Sequence, residues 1–210
     1  MSAAAAVSSA ADIRDAAVPV SERGPSPRKV IVGYGFWLFL LSDIIVFSAF
    51  FAAYAVLAGR TAGGPGGVQL FHRGSVLLET GCLLASSFAC AMMSLAIDLR
   101  QRAWMVIGAA LTFALGAAFL VLELREFGDM LANGAGPSRS AFLSAFFGLV
   151  GLHGLHVASG LLWLIAMLVQ VFTLGWRSMV LDRLACFSLF WHALDIVWIG
   201  VFTIVYLGAR

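Results

Sequence analysis

The chain has 210 residues, 61% of them hydrophobic and only 11% charged, with a mean hydropathy of +0.97. Soluble domains average about 25% charged residues, so nearly the whole length reads as membrane-embedded, with no room for a separate soluble catalytic domain. A net charge of +2, its basic residues spread over the links, excludes a nucleic-acid surface.

Residues 1–29 are rich in Ala, Ser and Pro and close on Pro25-Ser26-Pro27-Arg28-Lys29. They lack a basic segment followed by an apolar one, so the expectation is a disordered cytoplasmic tail, not a cleaved leader. Residues 30–208 are expected to form one domain of five hydrophobic runs, at about 30–58, 75–98, 103–131, 141–174 and 183–208. Each run satisfies the ~20 residues that a helix needs to cross a bilayer. Backbone groups in lipid must be satisfied internally, so runs this apolar are expected to be helices. The expected fold is an all-α integral membrane protein, a five-transmembrane-helix bundle.

The links carry the punctuation that such helices require. Gly63-Gly64-Pro65-Gly66-Gly67 separates the first two runs, and Asn133-Gly134-Ala135-Gly136-Pro137 the third and fourth, with Ser138 or Ser140 available as a cap. The remaining links are short, which makes the helices they join antiparallel neighbours. Basic residues set the orientation. Arg14, Arg23, Arg28, Lys29, Arg100, Arg102, Arg177 and Arg183 fall on one side, against Arg60, Arg73, Arg139 and Arg210 on the other. The richer side is expected to be cytoplasmic, which puts the N-terminus in the cytoplasm and the C-terminus in the periplasm.

The informative residues are polar ones inside the apolar runs. An ionisable group near the bilayer centre costs roughly 2.5–3.5 kcal/mol on insertion scales, so it persists only where it meets protein, a wet cavity or a functional path. The first run carries Asp43 and the second Glu79. The third carries Glu123 and Glu126, the fourth His153 and His156, and the fifth His192 and Asp195. Each of these last pairs has i, i+3 spacing and so shares one helix face. By depth, a middle layer of Asp43, His156, His192 and Asp195 is expected, with an outer layer of Glu79, Glu123 and His153.

Three readings are open. A di-iron-type centre would use inward Glu-x-x-His motifs, which the sequence lacks. A transporter would show an internal repeat and helices broken near the midplane, and neither is found. The third reading is structural, with pairs that hydrogen-bond between helices and hold their register. Gly148, Gly151, Gly154 and Gly160 favour it, as sites where a neighbouring backbone could approach the fourth helix. Cys82, Cys90 and Cys186 form no Cys-x-x-Cys pair and read as small buried residues. Trp104, Trp176 and Tyr206 near run ends fit the interfacial belt. Trp37, Trp163, Trp191 and Trp198 lie deeper and are expected between helices.

Several stretches carry a resemblance: Gly35-Phe36-Trp37-Leu38-Phe39-Leu40-Leu41-Ser42-Asp43, Glu123-x-x-Glu126-Phe127, Gly151-Leu152-His153-Gly154-Leu155-His156-Val157 and Phe190-Trp191-His192-Ala193-Leu194-Asp195-Ile196-Val197-Trp198. In this order they resemble the signature segments of subunit III of haem-copper terminal oxidases, over about residues 33–206. Five helices and the two Gly-Pro links are most similar to the bo-type ubiquinol oxidase version. The resemblance implies a non-catalytic subunit of a proton-pumping, oxygen-reducing complex in a bacterial cytoplasmic membrane. Haems and copper would belong to subunit I, with no cofactor or metal in this chain. The implied partners are subunit I, the other oxidase subunits and phospholipids, and the implied roles are support of proton uptake and of stability. Asp43 stands where many cytochrome c oxidase members carry a carbodiimide-reactive glutamate. Positions 153, 156, 192 and 195 match family positions and are implied to be structural. The alternatives are a subunit III-like protein of a cytochrome c oxidase or nitric oxide reductase, or a free-standing membrane metalloprotein.

Overall fold

The computed structural model describes residues 28–63 and 73–208. Most of the tail expected over residues 1–29, and most of the first Gly-Pro link, lie outside the described residues. Within them there is no strand, and five helices are long and apolar enough to cross a membrane. These are α1 (Arg28–Leu57), α2 (Arg73–Asp98), α3 (Arg102–Ala132), α4 (Ala141–Leu174) and α5 (Ser178–Val201), the last continuing as a π-helical segment over Phe202–Leu207. The chain divides into two compact units, with the boundary between Leu38 and Phe39 inside α1. The described part of the first unit is the opening of α1, where Tyr34, Trp37 and Leu38 are exposed. Trp37, expected between helices, is 53% exposed. All that follows concerns the second unit.

Helix ends follow local chemistry. Ser140 caps α4, its Oγ accepting the Leu143 amide at 3.2 Å. α3 closes on a glycine in the left-handed region, Gly134 at φ +69°. There the Gly134 amide donates to Leu131 O at 3.0 Å and the Ala135 amide to Met130 O at 2.9 Å. This paired closure satisfies carbonyls that the last helical turn leaves free. α2 closes in the same way, but the left-handed residue is Arg100 at φ +55°. Its own amide reaches Ile97 O at 3.0 Å, and the Gln101 amide reaches Ala96 O at 2.8 Å. A non-glycine residue in that conformation costs roughly 1–2 kcal/mol.

α5 begins at Ser178, more than a turn before residue 183, where the fifth apolar run was expected to start. The extra turn has an apolar side to bury, since Val180 and Leu184 are fully covered. Arg183 stays at the surface and donates to Gln170 Oε1 at 2.8 Å.

The helices joined by short links pack side by side, α2 with α3 and α4 with α5. α2 and α3 approach most closely. A Cβ added to Gly108 would lie 2.9–3.0 Å from Met93, backbone included. α2 also lies against α5, its non-sequential neighbour, and α3 against α4. The second unit's share of α1 meets α4 through side chains: Phe47 on His156, Tyr54 on Phe142, and Phe50 against Gly148.

The glycines of α4 thus serve a purpose different from the one expected. They admit side chains, not a neighbouring backbone. Gly148 faces the Phe50 ring, Gly151 the Phe127 ring, Gly154 the Glu123 carboxylate, and Gly160 Phe190 and Trp191. With 17 Phe and 6 Trp in the chain, bulky groups fill the inter-helix space, and glycine is what leaves room for them.

Candidate functional site

Polar side chains along α2 and α5 pair in an antiparallel ladder. Near the start of α2, Thr80 Oγ1 accepts from Trp198 Nε1 at 3.1 Å. Two turns on, Ser86 Oγ accepts from Trp191 Nε1 at 3.1 Å, and Ser87 Oγ lies 2.7 Å from His192 Nδ1. Further along, Ser94 Oγ donates to Ser188 Oγ at 3.0 Å, with Cys90 Sγ at 3.7 Å from the same hydroxyl. Residue numbers rise on α2 as they fall on α5. Each rung sets a serine or threonine hydroxyl against an indole, an imidazole or another hydroxyl, so each defines one axial position. Hydrogen bonds between membrane helices contribute on average about 0.6 kcal/mol each, up to ~1.7. Several in series therefore fix register more than they add stability.

Of the expected middle layer, Asp43 and His156 do meet. His156 Nε2 lies 3.0 Å from Asp43 Oδ1 and its Nδ1 2.7 Å from Leu152 O, one turn back. The contact joins a carboxylate of α1 to an imidazole of α4. The two that share a face of α5, His192 and Asp195, are not joined in the same way. His192 is held by Ser87, not by Asp195. Asp195 lies beside the same serine and the same histidine, and its buried Oδ1 has no hydrogen-bond partner among the described residues. The expected middle layer is accordingly two separate pairs, α1 with α4 and α2 with α5. Four residues at one depth do not converge when their helices turn them toward different neighbours.

The carboxylates gather at one end of the unit, where α2 begins and α3 and α5 finish. Glu79 is 1% exposed and Glu123 2%. Among the described residues both Glu79 oxygens, and Oε2 of Glu123, have no hydrogen-bond partner. Tyr206 donates its hydroxyl to Glu126 Oε2 at 3.3 Å. Tyr206 is 5% exposed, so it faces other helices of the chain. It lies in the π-helical segment that ends α5, where Val205 is buried beside it. The Glu123 carboxylate rests on Gly154, where a Cβ would come within 2.6–2.7 Å of its two oxygens.

His153 stays apart from these carboxylates' hydrogen bonds. It is 0% exposed, and aromatic rings surround it: Trp198 at 5.1 Å, Phe119 at 5.7 Å and Phe47 at 6.3 Å between centroids. Neither ring nitrogen has a hydrogen-bond partner among the described residues. His153 is thus a packed aromatic more than a polar contact.

No three His, Cys, Asp or Glu side chains among the described residues are arranged to hold a metal ion. Cys90 and Cys186 are buried and Cys82 is half-buried. The arrangement can hold helices in register and present a firm apolar exterior.

The hydroxyl ladder is the part that sequence reading missed. Its signal was present: Thr80, Ser87 and Ser94 recur every seven residues on α2. That period keeps a face turned to one neighbouring helix. Attention to ionisable groups passed over it.

Comparison with known proteins places these features. The family model described as cytochrome c oxidase subunit III matches residues 8–209. Cytochrome bo(3) ubiquinol oxidase subunit 3 of Pseudomonas aeruginosa is 49% identical over 174 residues, 83% of each chain. Quinol oxidase subunit 3 of Bacillus subtilis is 41% identical, over 82% of this chain and 85% of its own. Cytochrome c oxidase subunit 3 of Bacillus sp. (strain PS3) is 38% identical, over 82% and 84%. With the match covering nearly its whole length and five helices able to cross a membrane, this chain is a multi-pass membrane protein of the cytochrome c oxidase subunit III family.

Proposed function

We propose that the chain is the third, non-catalytic subunit of a proton-pumping haem-copper quinol oxidase in a bacterial cytoplasmic membrane, with its N-terminus in the cytoplasm. The single observation that carries the reading is the 49% identity, over 83% of both chains, to a relative named as a ubiquinol oxidase subunit. The geometry supports a scaffold. Paired polar groups hold α1 on α4 and α2 on α5, and long apolar faces are left for a partner: Ile44, Ile45 and Val56 on α1, Leu155 and Leu162 on α4, and Ile196 on α5 are exposed. In this reading the haems and copper reside in subunit I. This chain packs on that subunit and on the other oxidase subunits, binds phospholipid, and supports proton uptake by keeping the partner's surface in place. Asp43, Glu79, Glu123, Glu126, His153, His156, His192 and Asp195 act as packing groups and carry no electrons.

The test is a tagged chain extracted in mild detergent, with mass analysis of the chains that co-purify and a haem spectrum. The expected result is a stoichiometric larger haem-bearing subunit and oxidation of ubiquinol. A chain that purifies alone with stoichiometric iron, copper or zinc would defeat the reading. A second reading, with cytochrome c as the electron donor, is favoured by the 38% identity to a cytochrome c oxidase subunit. Assay of the same preparation with reduced cytochrome c separates the two.

A further inference from the structure

α2 and α3 enclose an apolar groove of about 390 Å³ on the outside of the unit. Its lining includes small residues, Ala85, Ala89, Ala96 and Gly108. Its rims are large and exposed, among them Phe88, Leu95, Trp104 and Ile107. The groove exists because the two helices nearly touch beneath it, at Gly108 and Met93. A helix is about 10–12 Å across and would ride on the rims. A single hydrocarbon chain can lie between them.

The groove has a defined length. On α2 it runs from Ala85 to Leu99, which at 1.5 Å per residue is about 21 Å. On α3 it runs from Trp104 to Leu115, about 16 Å by the same rise. One leaflet of the hydrocarbon core is about 15 Å, half of the ~30 Å whole. The groove therefore reaches from one membrane surface to roughly the midplane.

Its surface end is basic. Gln101 lines it, and Arg100 and Arg102 flank that residue, both exposed. Neither guanidinium has an ion-pair partner among the described residues, Asp98 included. Arg102 is steadied instead by the Trp176 ring, 5.8 Å below it. Arg100 occupies the left-handed position that glycine takes at the end of α3. Two uncompensated cations at the mouth of a leaflet-deep apolar slot match an amphiphile with an anionic head.

We propose that the α2–α3 groove seats one acyl chain of an anionic phospholipid whose head group is held by Arg100 and Arg102. This deepens the lipid part of the function proposed above, on which it rests, by giving the lipid a place and a charge. The site belongs to the leaflet that faces the α2–α3 turn.

The experiment uses the whole oxidase, purified in mild detergent and exchanged into vesicles holding a phosphatidylglycerol or a phosphatidylcholine with a photoactivatable acyl chain. Cross-linked peptides are then mapped by mass. Phosphatidylglycerol should label the segments around Phe88–Leu95 and Trp104–Leu111, and phosphatidylcholine should label them weakly. Arg100→Gln with Arg102→Gln should cut phosphatidylglycerol labelling there roughly thirtyfold, the effect of removing two cations from an anionic membrane surface. Arg→Lys at both positions should restore it. Ala85→Phe, a change at an exposed position, should block the midplane end and lower labelling by either lipid. Equal labelling by the two lipids, indifference to the arginine changes, or label found on another subunit and not on these segments would overturn the proposal. Absence of haem-bearing chains from the preparation would sink the oxidase reading separately, since groove labelling can still be read on this chain alone.

Discussion

Where α2 meets α5, buried indoles and His192 meet hydroxyls: Trp198 with Thr80, Trp191 with Ser86, His192 with Ser87. At the end where α2 begins and α3 finishes, the buried polar groups are carboxylates. Glu79 has no partner among the described residues, and Glu123 sits against the bare backbone of Gly154. The first region is held by hydrogen bonds and tolerates ordinary packing. In the second, Tyr206 donates to Glu126, but Glu123 rests on steric fit, with a glycine where its helix meets α4. The difference shows that polarity inside a membrane unit need not mean one mechanism: a small hydroxyl fixes register, while a carboxylate without a donor depends on the shape around it.

The largest expected effect lies in the second region. Gly154→Leu places a side chain where the Glu123 carboxylate lies, so α4 or Glu123 must shift. Thermal unfolding of the subunit within the complex should show a loss of about 3 kcal/mol, the upper end for overpacking. Adding Glu123→Ala should recover much of it. Failure of that second change to help would mean that the Glu123–Gly154 approach is not what limits packing.

In the ladder, Ser87→Ala leaves the His192 nitrogen without its partner. A loss of about 1 kcal/mol is expected, read as easier release of the subunit on detergent washing. Asp195→Ala should cost less than Ser87→Ala, because His192 keeps its serine. If the aspartate change proved the more damaging, the ladder would have been assigned to the wrong residue.

Glu79→Gln should be the mildest, within about 0.5 kcal/mol of no change, since it removes no hydrogen bond made with the described residues. A cost matching that of Ser87→Ala would show that Glu79 has a partner after all, and the contrast between the two regions would dissolve.

Much of the fold was legible beforehand. Five apolar runs announced five helices, Gly134 and Ser140 announced the α3–α4 turn, and short links announced that α2 lies by α3 and α4 by α5. Asp43 and His156 were placed at one depth and do pair. Less legible were the partners of His192 and Tyr206. His192 has Asp195 one turn away on its own helix, yet Ser87 of α2 holds it. Tyr206 lies near a run end, as an interfacial residue would, yet it is buried and donates to Glu126.

The amino-acid sequence by itself determined the number of apolar helices, their approximate ends and the place of each polar group along its helix, because hydrophobicity and helical rise are local properties. Tertiary structure alone decided which helix faces which: the α2–α5 ladder, the separate α1–α4 pair, the glycines that receive side chains and the groove over Gly108. The physical reason is rotation about the helix axis. In water an apolar stripe specifies which side of a helix turns inward. A helix apolar on nearly every side loses that signal, since lipid and protein interior are alike to it. Its facing is then set by a few hydroxyls, glycines and aromatic rings, whose partners lie far away in the chain.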